Sequence, residues 1–137
     1  MTFNKFQITV LSIAGFTVLL VGCFLALDPH GFYAGYGVTL DHTDLLSEVR
    51  ANGTNLAALG CLMLAGVVKP SLRAVSVTCS LVAYFAIASG RVLSLATDGL
   101  PSDGILMALG IELVIAALCL VAFASVLPRG DAAGSPA

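Results

Sequence analysis

Residues 6–27 read FQITVLSIAGFTVLLVGCFLAL, a continuous apolar run without one charged side chain. About 20 apolar residues in a helix cover the ~30 Å hydrocarbon core of a bilayer. A helix also pairs its own backbone N–H and C=O groups where no water is present to do so. This run therefore predicts a membrane-spanning helix, and the rest of the chain can be read outward from it.

Three more runs follow, at about 45–68, 74–95 and 105–127. The second is uninterrupted from Leu56 to Val68, but its first part carries Glu48, Arg50, Asn52 and Asn55. The third is broken only by Arg91 and the fourth only by Glu112. Pro29, Pro70, Pro101 and Pro128 fall at or just after the runs and never inside one. Proline lacks a backbone donor and clashes with the preceding turn, so it marks helix ends. The expected fold is all-α: a four-helix transmembrane bundle forming one domain over residues 1–127, followed by a short disordered tail over 128–137.

Composition agrees with this reading. Of 137 residues, 58% are apolar and 10% charged, against roughly 45–50% and 25% in a soluble domain. Mean hydropathy is +1.02. With a net charge of −2 and no basic cluster, a nucleic-acid partner is excluded. The first partner is the lipid bilayer.

Charge asymmetry sets the expected orientation. Lys5 precedes the first span, Lys69 and Arg73 lie between the second and third, and Arg129 follows the fourth. The first and third connections contain no Lys or Arg, and their acidic residues are Asp28, Asp41, Asp44, Asp98 and Asp103. The positive-inside rule puts both termini and the Lys69–Arg73 turn in the cytoplasm of a cell with this protein in its inner (plasma) membrane. A rival reading makes Leu20-Val21-Gly22-Cys23 a lipoprotein cleavage site. The run continues through Phe24–Leu27, however, and so exceeds the roughly 7–15 residues of a signal h-region.

The cysteines, Cys23, Cys61, Cys79 and Cys119, fall one per span, with no C-x-x-C pair. They read as small apolar side chains at helix contacts, and a three-thiol site at Cys61, Cys79 and Cys119 is the weaker alternative. No cofactor and no metal centre is expected. His30, Asp41, His42 and Asp44 match no metal spacing, and Asp41 or Asp44 reads instead as the N-cap of the second span. In the same loop, Phe32, Tyr33 and Tyr36 fit an interfacial aromatic anchor, and Gly31, Gly35 and Gly37 fit a sharp reversal.

Helical periodicity at 100° per residue places small residues in rows: Gly53, Ala57, Cys61 and Ala65 in the second span, and Ser76, Cys79, Ala83, Ala86, Gly90 and Ser94 in the third. The first span contributes Ser12, Gly15 and Gly22, and the fourth Ala108, Ala116 and Cys119 alongside Glu112. Small residues let helices approach closely in lipid. Leu45, Val49, Leu56, Met63 and Val67 share a sector of the second span expected to face lipid.

The candidate site is the set of polar residues in the spans. From the ends of their spans, Arg91 lies about 6 Å deep and Glu112 about 10 Å deep, with Asn52 and Asn55 at similar depth and Glu48 and Arg50 nearer the interface. All six belong to the outer half. A charge at the bilayer centre costs about 2.5–3.5 kcal/mol on insertion scales, so such residues pair or serve a function. The expected pairs are Arg91 with Glu112, and Arg50 or Arg91 with Glu48, because guanidinium meets carboxylate through two parallel hydrogen bonds.

Asp28-Pro29, Tyr36-Gly37, Glu48-x-Arg50-Ala51-x-Gly53, Arg91, Asp98-Gly99 and Glu112 together give a pattern. Over residues 6–127 the chain resembles a family of small four-span bacterial membrane proteins described only as a domain of unknown function. The resemblance implies the four-span topology and the same charged positions, and it implies no activity or cofactor.

Three functions compete. The leading one is a non-catalytic protein: a small-ligand binder, a minor transporter or an accessory subunit. Its partners are a small polar or anionic ligand, and a membrane-protein neighbour or second copy of the chain. The second is a membrane enzyme acting on a lipid or quinone-like substrate, with Glu112 or Glu48 as acid–base group and Arg91 stabilising negative charge. The third is a structural bundle in which the ion pairs fix helix register.

Overall fold

The computed structural model describes residues 2–126, and the ordered elements among them are all helical: α1 (Lys5–Leu27), α2 (Pro29–Ala34), α3 (Thr43–Val68), a 3-10 turn at Pro70–Leu72, α4 (Arg73–Thr97) and α5 (Asp103–Phe123). Four of them are long and apolar enough to cross a membrane: α1, α3, the 3-10 turn continued by α4, and α5. The protein is a multi-pass membrane protein. The tail expected over 128–137, and Leu127 at the end of the last run, lie outside the described residues.

Local chemistry explains the helix starts. Asn4 and Gln7 form a reciprocal capping box: Asn4 Oδ1 accepts from the Gln7 N–H at 2.8 Å, and Gln7 Oε1 accepts from the Asn4 N–H at 3.0 Å. Gln7 Nε2 then donates to the Ala122 carbonyl at 2.8 Å, joining the start of α1 to the end of α5. Asp28 closes α1 and caps α2, its Oδ1 accepting from the Gly31 N–H at 2.9 Å while Pro29 opens the helix. The segment read from sequence as a loop therefore contains a helix. Of its glycines, only Gly37 takes a positive φ, +71°.

The cap expected from Asp41 or Asp44 is absent. His42 occupies the N-cap position of α3 without a side-chain hydrogen bond, and Asp44 lies inside the first turn. There its charge still meets the positive end of the helix dipole. Asp41 instead accepts from the Thr39 hydroxyl at 3.2 Å.

α1 and α3 make the most extensive interface. A Cβ on Gly53 would lie 2.6 Å from the Ala26 nitrogen, and one on Gly60 would lie 2.6 Å from that of Leu19. The two backbones touch, so a side chain at either position would have to push the helices apart. This overturns most of the lipid-facing sector expected of α3, of which Leu45 alone is exposed. Met63 is fully buried, Val49 is buried and Leu56 half-buried, whereas Cys61 is exposed. Close approach at Gly53 and Gly60 turns the flanking large side chains into the core. Ala51, Thr54, Ala58 and Cys61 are left outside.

α3 and α4 are fastened near the Lys69–Arg73 turn. Ser76 Oγ donates to the Leu62 carbonyl at 2.6 Å, and Cys79 Sγ contacts that of Leu59 at 3.8 Å. Leu11, Met63, Val77, Cys119 and Phe123 fill the core in this half, where Phe3 packs at a tilt against Phe123 and the Arg73 guanidinium lies 4.8 Å over the Phe3 ring. The small row of α4 is packed only here. Beyond Ala83, Ala86, Gly90 and Ser94 are exposed, and the space around Gly90 is open.

Candidate functional site: a polar cavity beside an interhelical ion pair

The half of the bundle nearer α2 is built differently. Arg91 from α4 meets Glu112 from α5 as a fork, Nε to Oε2 at 2.7 Å and Nη2 to Oε1 at 3.0 Å. The Arg91 and Glu112 side chains remain 29% and 16% exposed, respectively. That exposure is directed in part at a cavity of about 210 Å³, lined by residues from all five helices.

Thr17, Val21 and Leu25 line it from α1, and Asn52 and Leu56 from α3. Tyr84, Ile87 and Arg91 come from α4, and Ile105 and Glu112 from α5. The remaining wall is aromatic. Phe32 packs against Tyr33 and Tyr36 at centroid distances of 5.5 and 5.4 Å, and against Phe24 at 5.5 Å. Gly104 at the start of α5 leaves room for the Tyr36 ring, which a Cβ there would meet at 3.0 Å. Beneath α2, Leu25, Leu40 and Val49 form a small second core that supports this wall.

The hydrogen-bonding inventory is uneven. The Tyr84 hydroxyl is committed, donating to the Ala14 carbonyl at 2.9 Å. Glu112 takes two of the five N–H groups of the Arg91 guanidinium. Among the described residues the other three have no protein acceptor, and the hydroxyls of Tyr33 and Tyr36 and the amide of Asn52 make no protein hydrogen bond. The cavity thus presents the spare, donor-only N–H groups of Arg91 beside hydroxyl and amide groups that both donate and accept, next to a pair whose formal charges cancel.

Two grooves adjoin it. One, of about 280 Å³, runs between α3 and α4 from Asn52 and Asn55 toward Leu59 and Cys79. The other, of about 440 Å³, lies between α4 and α5 from Ile87 and Arg91 to Leu95 and Pro101. The first shares Asn52, Leu56 and Ile87 with the cavity, and the second shares Ile87, Arg91 and Ile105.

Of the six polar positions singled out in the sequence, the structure gathers three at the cavity: Asn52, Arg91 and Glu112. Asn55 lines the α3–α4 groove. Glu48 is exposed, and the expected pairing of Arg50 or Arg91 with Glu48 does not form among the described residues. Arg50 donates instead to the carbonyls of Ala26 and, at 3.3 Å, Leu27. It is a C-terminal cap of α1, where a cation satisfies free carbonyls at the negative end of the dipole. Tyr84, Tyr33, Tyr36 and Thr17 were not read from sequence as site residues. Tyr84 carried a signal, since it precedes Arg91 by seven residues and so shares its face. Thr17 carried none. Among the described residues no three His, Cys, Asp or Glu side chains converge as metal ligands.

These features define a class: a four-helix membrane protein in which an interhelical Arg–Glu pair lies beside an aromatic-walled polar cavity. Residues 6–123 match the family described as Domain of unknown function (DUF4345), and the chain belongs to that family. Neither the curated proteins nor the solved structures give a match.

Proposed function

We propose that the protein is a non-catalytic binder of a small polar-headed molecule, held in the cavity beside Arg91 and Glu112. One observation carries this reading. The ion pair is not sealed by apolar packing but opens on a 210 Å³ cavity with unspent donors from Arg91, Tyr33, Tyr36 and Asn52. A pair that served only to fix register would gain from close packing on all sides, because voids forfeit dispersion contacts. The acid–base groups on the cavity wall are Glu112, tied to Arg91, and tyrosines, which favours binding over the enzymatic alternative.

The charge asymmetry supports an orientation in which Lys5, Lys69 and Arg73 lie on the cytoplasmic side of a bacterial inner membrane. The cavity then belongs to the outer half. The test is native mass spectrometry of protein purified in mild detergent. The expected result is a stoichiometric small-molecule adduct that Val21→Phe, which fills the cavity, removes. An adduct-free protein, or an adduct indifferent to Val21→Phe, overturns the reading.

A further inference from the structure

We infer that the ligand of this cavity is a neutral single-chain amphiphile that reaches it sideways from the bilayer, with its head at Arg91–Glu112 and its tail in the groove between α3 and α4. The inference rests on the binding role proposed above and adds the ligand class and the route.

Size is the first argument. At about 210 Å³ the cavity falls below the roughly 300–1,000 Å³ of pockets that enclose a whole drug-sized molecule. It suits a head group, and anything longer must continue into a groove. The α3–α4 groove shares three residues with the cavity and has a volume of about 280 Å³. From Asn52 to Leu59 it follows the helix axis for about 10 Å, at about 1.5 Å per residue. Its far end is apolar, with Leu59, Cys79 and Val82, and an acyl chain lying there would run parallel to the surrounding lipid.

Polarity is the second argument. Asn52 and Asn55 stand at the mouth of this groove, exposed on an apolar helix and without protein hydrogen bonds among the described residues. An unpaired amide facing hydrocarbon costs several kcal/mol. A polar head passing or resting between α3 and α4 relieves that cost. Small side chains keep the passage clear on the α4 side, at Ala83 and Ala86.

Charge is the third. Arg91 and Glu112 are the charged residues lining the cavity, and they cancel in formal charge. An anionic head would leave a net negative charge at this depth, and a neutral head would not. The spare N–H groups of Arg91 can only donate, so the head should carry carbonyl or hydroxyl oxygens that accept them.

The protein carries its own reporter. It has three tyrosines and no tryptophan, and Tyr33, Tyr36 and Tyr84 all line the cavity. Tyrosine emission is therefore measured in phosphatidylcholine vesicles with a monoacylglycerol brominated on its acyl chain as quencher. The expected result is saturable quenching, weakened roughly tenfold by Ala86→Phe, which obstructs the groove at an exposed position. The same change should leave the thermal midpoint in detergent unaltered. The brominated fatty-acid anion should bind roughly tenfold more weakly, and free glycerol should not compete. Competition by glycerol, equal binding of the anion, or indifference to Ala86→Phe overturns the inference. A cavity-dependent adduct in the mass spectrum without saturable quenching overturns this inference alone. Loss of that adduct's dependence on Val21→Phe overturns the binding role itself.

Discussion

Arg91 and Glu112 lie 21 residues apart in the chain yet meet as a two-bond fork, at 2.7 and 3.0 Å, across the interface of α4 and α5. A short connection, 98–102, joins these antiparallel helices, so a residue late in one and a residue early in the other share a depth. The pair also limits the cost of two charges in an apolar bundle.

That cost returns when one partner is removed. Breaking a buried pair costs about 3–5 kcal/mol, because a lone charge remains; the partial exposure of Arg91 and Glu112 to the cavity puts this case at or below the lower end. Arg91→Leu and Glu112→Leu should each lower the thermal midpoint in detergent. The double variant should lose less than the sum of the two. Strictly additive losses would show that the side chains do not stabilise each other.

The fold was legible in sequence where the signal is one-dimensional. Runs of about 20 apolar residues and prolines between them give the helix count without reference to neighbours. The faces of α3 were not legible, since periodicity sorts Gly53, Ala57 and Cys61 into one row and cannot rank them. The backbone-to-backbone fit at Gly53 and Gly60 does rank them, and it is a property of the α1–α3 pair. Arg91 and Glu112 stood out because charges are rare in lipid. Tyr33 and Tyr36 did not, because an aromatic beside a membrane has a simpler use as an interfacial anchor. The role of Arg50 is hidden for a similar reason: a carboxylate is a visible partner in sequence, while the carbonyls of Ala26 and Leu27 are not.

The glycines give a second prediction. Gly53→Ala and Gly60→Ala insert a methyl against backbone on α1 and should force α1 and α3 apart. Overpacking of this kind costs about 1–3 kcal/mol. Gly90→Ala and Gly110→Ala enter open space on helices and should be neutral or mildly stabilising. Midpoints for all four variants under one detergent condition test the contrast, and equal effects in the two groups would refute the close α1–α3 packing.

The cap on α1 gives a third. Arg50→Ala removes a charged donor from the carbonyls of Ala26 and Leu27 and should cost about 1–2 kcal/mol. Arg50→Lys should recover only part of this, since an ammonium lacks the planar fork. Hydrogen exchange at the Leu27, Asp28, His30 and Gly31 amides should rise in Arg50→Ala. Unchanged exchange would mean that Arg50 does not hold the junction of α1 and α2.

The last prediction concerns orientation. Two ends of the bundle differ in charge: Lys5, Lys69 and Arg73 mark one, and Asp28, Asp41, Asp44, Asp98 and Asp103 mark the other. Lysine and arginine in short loops are retained on the cytoplasmic side, whereas acidic residues bias topology little. The Lys69–Arg73 turn is short and holds two cations, so it should dominate. Ser71 is exposed within that turn, and His30 is exposed on α2 at the opposite end. His30→Cys and Ser71→Cys therefore report the two sides. The four native cysteines all lie within spanning helices, away from water-soluble reagents in the membrane. A membrane-impermeant maleimide should label His30→Cys in cells with an opened outer envelope and an intact inner membrane. It should label Ser71→Cys only after lysis. The reverse pattern would place the cavity in the cytoplasmic half, and labelling of both without lysis would mean that the chain inserts in two orientations.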